Sequence, residues 1–198
     1  MIRASLCSAL LAVTIFAGSE SHGFAKEKTY ANAAYRIAFA VPASWTIRTD
    51  EEGYGNRRHL VVALRPPGWR NKVKKSQYAL SDYAFWIRVL ASKSTLENAA
   101  EWAGFLRSNG KWMTVARGNN YDVREWSRDD MFILSGITDV GMHFKRGGYA
   151  GLGEGLRAFF FDGGRAAVLN AEDTAYRETF DRMVDSFRFD GTKATAKR

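Results

Sequence analysis

LRAFFFDGGRAAVL, Leu156 to Leu169, sets two apolar runs around Asp162-Gly-Gly-Arg165. Adjacent glycines reach the positive φ that tight turns need, so the stretch predicts an antiparallel β-hairpin, and a hairpin of this apolarity needs a sheet to lie in. The sequence before it supplies strands. Lys111 to Ala116, Val123 to Ser127 and Met131 to Thr138 alternate or run apolar between polar turns, one of them Arg128-Asp-Asp130. His59-Leu-Val-Val-Ala-Leu64 and Tyr83 to Leu90 are apolar on both faces, which in a sheet means cover from both sides. Arg36 to Val41 places Ile37, Phe39 and Val41 on one face, and Pro42 stops it before Trp45-Thr-Ile-Arg48. These two segments read as an outer strand pair.

Two helical patterns complete the chain. Ser94-Thr-Leu-Glu97 matches a capping box, in which the serine and glutamate side chains satisfy free amides at a helix start. Leu96, Ala99, Ala100, Ala103 and Leu106 continue at helical spacing, and Gly110 sits where a left-handed cap belongs. Asp173 caps a final helix that keeps Tyr176, Phe180, Met183, Val184 and Phe187 on one face. Strands, helix, strands and helix in that order predict an α+β fold with a largely antiparallel β-sheet flanked by helices. Trp45, Phe85, Phe160 and Phe180 should be buried and join the outer strands, the central sheet and the last helix.

The first 25 residues read as a signal peptide. Arg3 gives a positive start, Leu6 to Ala17 is apolar, and Gly23-Phe24-Ala25 ends in the small-x-small pattern of a cleavage site. The run is shorter than the roughly 20 apolar residues of a membrane-spanning helix. Cleavage after Ala25 takes 25 of 198 residues, removes Arg3 and Glu20 together, and so leaves 173 residues still at +8. The exported chain, periplasmic or secreted and not transmembrane, is then a single domain over 26–190 with a polar tail, 191–198. The one cysteine, Cys7, lies in the leader, so a core and not a disulfide holds the domain together.

Tyr35-Arg-Ile-Ala-Phe-Ala-Val-Pro-Ala-Ser-Trp45 resembles the start of the PsbP-like superfamily, an alternating strand running into Pro-x-x-Trp. Phe180-Asp-Arg-Met-Val-Asp-Ser-Phe-Arg-Phe189 is similar to that family's closing helix and Ser-Phe-x-Phe strand. The resemblance implies an α/β/α sandwich and members that act mostly as accessory, assembly or chaperone-like partners. It assigns Pro42 and Trp45 structural roles and transfers no active site.

Upstream of the hairpin, KRGGYAGLGEGL (Lys145 to Leu156) holds five glycines in twelve residues. A phosphate-binding glycine loop follows a strand and opens a helix whose amides hold the anion. Here Gly155 is followed by the strand-like Leu-Arg-Ala-Phe-Phe-Phe, and the third glycine of the dinucleotide spacing is missing. The segment reads as a mobile β-connection whose Lys145, Arg146 and Tyr149 contact a partner. A second basic segment, with Arg65, Trp69, Arg70, Lys72, Lys74 and Lys75, interleaves charge with a tryptophan. Export removes nucleic acid as a ligand for it and leaves acidic proteins, lipids and glycans.

Catalytic patterns are incomplete. His143 is the better general base of the mature chain's two histidines, and with Ser135 and Asp139 it would centre a small periplasmic hydrolase, but the serine lacks the Gly-x-Ser-x-Gly elbow. His59, at the start of a buried strand, reads as bonded to backbone. Histidines and cysteines are too few for zinc, Asp129, Asp130 and Asp139 lack calcium-loop spacing, and no cofactor motif is present. The chain reads as an exported, non-enzymatic binding or accessory protein of the bacterial envelope, immunity- or chaperone-like, holding an acidic protein partner. A hydrolase on His143 and an anionic-surface binder are the alternatives.

Overall fold

The computed structural model describes residues 26–52, 59–69, 83–90, 94–116, 119–143 and 149–189. Its strands are β1 (Glu27–Asn32), β2 (Ile37–Pro42), β3 (Thr46–Glu52), β4 (His59–Arg65), β5 (Phe85–Leu90), β6 (Phe105–Ser108), β7 (Lys111–Ala116), β8 (Asn119–Arg128), β9 (Met131–His143), β10 (Tyr149–Phe161) and β11 (Ala166–Ala171). The helices are α1 (Leu96–Trp102) and α2 (Arg177–Ser186), with a 3-10 turn, Thr174–Tyr176, leading into α2.

Nine strands form one sheet in the order β3-β4-β5-β11-β10-β9-β8-β7-β6, and β1-β2 stands apart as a pair. All strand neighbours are antiparallel. The predicted hairpin lies at the centre, Leu156 opposite Ala171 and Phe161 opposite Ala166. Its turn is closed by Asp162 Oδ1, which accepts from the Arg165 amide at 2.8 Å, and by Gly163 at φ 88°.

The pleat sends side chains into two cores. Leu156, Ala158, Phe160, Ala167 and Leu169 join Leu60, Val62, Phe85 and Ile87 in the core shared with α2 and β1–β2. Phe159, Ala166 and Val168 join Ala99, Ala100 and Ala103 of α1 and Phe105 and Trp112 beyond. Trp45, Phe85, Phe160 and Phe180 are all buried in the first core, as expected, with Trp45 edge-on to Phe85 at 5.0 Å. Phe187 stacks on Phe160 at 4.1 Å. Each such ring stabilises the fold by about 1.5–3 kcal/mol through burial.

The α+β class and the antiparallel sheet stand, and several finer expectations are corrected. Two short helices sit beside nine strands, and α2 shares its layer with β1–β2, so the sheet dominates a fold expected as an α/β/α sandwich. β2 and β3 do not pair with each other: β2 pairs with β1, and β3 pairs with β4 at the sheet edge. Helix α1 is capped by the Thr95 hydroxyl, which accepts from the Asn98 amide, not by Ser94. It stops at Trp102 because Gly104 turns into the left-handed region at φ 81°, and Leu106 lies on strand β6. The glycine-rich stretch from Tyr149 onward is no loose connection but the first half of β10, paired with β9 from Tyr149 opposite His143, with a bulge between Gly151 and Gly153.

Candidate functional site

Both basic segments expected to contact a partner join the sheet at one end. The registers align Leu64, Phe85, Ala171, Leu156 and Ile137 in one row across β4, β5, β11, β10 and β9. Past that row β4 ends at Arg65, and on the same side β9 and β10 run on as a two-stranded arm, 138–143 against 149–155. Seven residues separate Leu156 from Tyr149, so the arm reaches about 20 Å beyond the row, and β4 and β10 stand about 14 Å apart at its base.

On the β4 side, Arg65 is exposed and its Nη2 donates to the Trp69 carbonyl at 3.2 Å. The Trp69 amide closes the turn on the Pro66 carbonyl at 3.2 Å, with Gly68 at φ 71°. The Trp69 ring is half-buried, 6.0 Å from Tyr176, and Tyr176 meets Trp45 and Phe85 at 5.9 and 5.6 Å. The indole therefore ties the start of the basic segment to the core, with its N–H buried and without an acceptor among the described residues. Arg70, Lys72, Lys74, Lys75, Lys145 and Arg146 lie outside the described residues, and Tyr149 is described by its backbone, opposite His143.

The hydrolase reading loses its geometry. Ser135, Asp139 and His143 lie four residues apart in turn on one extended strand. At a strand's rise, Ser135 and His143 are about 26 Å apart, far beyond the reach of a nucleophile–base hydrogen bond. Asp129 and Asp130 form the β8–β9 turn, both with positive φ, 48° and 62°. Among the described residues no group of three His, Cys, Asp or Glu side chains is placed to hold a metal ion.

Sequence reasoning missed a charged cluster that starts at the opposite end, at Glu52 and His59, and runs back along β5. The Glu52 carboxylate takes the His59 ring nitrogen at 3.3 Å and Arg88 Nη2 at 3.4 Å, so His59 bonds a carboxylate and not backbone. The Arg88 guanidinium lies 4.8 Å from the Trp86 ring centre, and Trp86 Nε1 donates to Glu172 Oε1 at 3.2 Å. Glu52 faces His59 across the β3–β4 ladder, a pairing that no local motif announces.

No helix among the described residues is long and apolar enough to cross a membrane. No family model matches the chain, and no curated protein does. Among solved structures the chain is similar to the solution structure of cyanobacterial PsbP (CyanoP) from Synechocystis sp. PCC 6803, at 11% identity and a TM-score of 0.43, over 87% of this chain and 97% of that one. A likeness at that identity and score assigns no residue a role in this chain.

Proposed function

We propose that this chain is an exported, non-enzymatic binding protein of the bacterial envelope, PsbP-like in design, that holds an acidic protein partner at the end of its sheet where both basic segments leave. The observation that carries this reading is the common row. Two segments some 80 residues apart in sequence, with Arg65 and Trp69 in one and Lys145, Arg146 and Tyr149 in the other, depart from the same side of Leu64, Phe85, Ala171, Leu156 and Ile137. A chain at +8 whose two basic segments join the sheet on the same side would steer an acidic partner toward that side. Rigid strands beneath both segments keep the cost of ordering low.

The PsbP-like reading is supported by the two stretches that carry the resemblance, which meet in space. The Ala40 amide donates to Ser186 Oγ at 2.9 Å, and Ala38 bridges Arg188 in antiparallel sense. Export rests on the leader pattern of residues 1–25, with β1 starting at Glu27, directly after the cleavage site and Lys26.

The test begins with a partner recovered from envelope extract by the mature chain, followed by surface plasmon resonance at low and physiological salt. Arg70, Lys72 and Lys74 changed together to Glu, and separately Lys145 and Arg146 to Glu, should each slow association with little effect on folding. If both variants associate at the parent rate at low salt, the sheet end is not the contact. Binding to anionic vesicles in place of a protein would replace the partner in this reading by a lipid surface.

A further inference from the structure

We propose that the α1 side of the sheet carries a second binding site, for a small organic carboxylate, formed by the Asn170 amide and the Arg88 guanidinium beside the Trp86 ring. Asn170 is 4% exposed. Its Oδ1 accepts from Arg157 Nε at 2.7 Å, which fixes the amide with its NH2 group turned the other way, and that Nδ2 is buried without a hydrogen-bond partner among the described residues. Arg88 Nε is in the same condition.

The two orphaned donors belong to residues that are neighbours in the sheet. On one face of the β5–β11 ladder Trp86 stands opposite Asn170 and Arg88 opposite Val168, so Arg88 and Asn170 are diagonal partners, within about 7–8 Å at the backbone. A buried donor left unbonded is costly, and two on diagonal positions want acceptor oxygens.

The surroundings favour a carboxylate. Glu172 already takes the Trp86 N–H, and Glu52 is divided between His59 and Arg88, its bond to Arg88 long at 3.4 Å. The Arg88 fork therefore keeps free capacity for an anion with two oxygens. Val61 and Ala63, 2% and 4% exposed, stand opposite Arg88 and Trp86 on β4 and give the site an apolar border. Arg157, on β10 opposite Asn170, adds a second guanidinium to the same face. Because Asn170 is closed to bulk solvent, the occupant is a small molecule and not a macromolecule.

The experiment titrates the mature protein with succinate against sodium chloride of matched ionic strength, following the Asn170 side-chain amide and Arg88 Nε–H by proton–nitrogen NMR, with thermal melting alongside. Saturable shifts of both signals and a rise in Tm are expected. Asn170→Leu and Arg88→Met, each checked for folding by circular dichroism, should weaken the apparent affinity about tenfold or more. Should Asn170→Leu fail to fold, Arg88→Met alone makes the comparison. Signals that succinate leaves unmoved, as when a buried water serves the two donors, overturn the proposal, and so does parent-like affinity in the variants.

Discussion

Arg128, at the end of β8, is the side chain whose loss should tell most about how the last helix is held. Its Nη1 donates to the Asp185 carbonyl at 2.8 Å, and its Nη2 donates to the Val184 and Phe187 carbonyls, each at 3.0 Å. Those are carbonyls of the last turn of α2, which has no basic residue of its own there. One guanidinium thus satisfies three groups that a helix end leaves open, and places a positive charge at the negative end of the helix dipole. Burial, and next the neighbouring Arg188, lower its pKa from the usual arginine value, yet a guanidinium remains charged throughout the neutral range. Discounted for the 22% of the side chain that is exposed, three such bonds amount to about 2–4 kcal/mol, a large part of a domain's 5–15 kcal/mol. Arg128→Ala should lower the unfolding free energy by that amount in urea titrations followed by circular dichroism, and Arg128→Lys, keeping the charge but not the fork, by about half as much. Arg188 Nη1 donates to two of the same carbonyls, of Asp185 and Phe187, at 2.9 and 2.7 Å. Removing both arginines should therefore cost more than the sum of the single losses, since each single variant keeps a donor on those two oxygens. If Arg128→Ala unfolds within about 0.5 kcal/mol of the parent, the clamp contributes nothing and α2 is held by its apolar face alone.

Gly104→Ala should destabilise somewhat more than Gly110→Ala although both glycines have φ near 80°, because a Cβ at Gly104 would run into the Arg157 guanidinium and displace it from its bond to Asn170, while one at Gly110 meets nothing within 4 Å; paired thermal melts give the difference, and equal losses would refute it. Phe180→Ala, in a fully buried position on α2, should cost about 3–5 kcal/mol, and a melt within a few degrees of the parent would mean that α2 does not pack as described. Tyr121 should ionise above the usual phenol range, chiefly because its hydroxyl donates to Glu154 Oε1 at 2.8 Å. The stability from this bond is then fully present below pH 10 and lost as pH rises through the higher folded value; ultraviolet titration of the parent beside Glu154→Gln would show it, and coincident curves would deny it.

Sequence made the centre of the sheet and α2 legible because there local pattern and tertiary burial agree. Phe160 and Leu169 alternate in phase with the core they enter, and Phe180, Met183 and Val184 keep one face for as long as the helix lasts. Reading failed where one glycine outweighs a periodicity. Leu106 falls on the helical spacing of Ala99 and Ala103, but Gly104 reverses the chain first. It failed again at 149–155, where glycine lowers strand propensity while pairing with β9 uses only the backbone, which every residue carries. β1 escaped notice because its exposed, charged sequence, Glu-Lys-Thr-Tyr-Ala-Asn, has one buried residue, Tyr30. The basic segments were visible from composition; their shared end of the sheet follows from registers between strands far apart in the chain.

The β9–β10 arm also has a mechanical meaning. Its two strands pass without a break from the outer pairs at His143 and Tyr149 into the heart of the molecule at Ile133 and Phe160. A partner pulling on the arm along its axis would draw β9 against β8 and β10 against β11, ladders of six residue pairs each, and load those hydrogen bonds together in shear and not one after another. Such a hold yields little under tension directed along the strands and opens readily when the arm is peeled sideways, so the direction of approach, as much as the strength of contact, would decide how long anything bound to the arm stays under load.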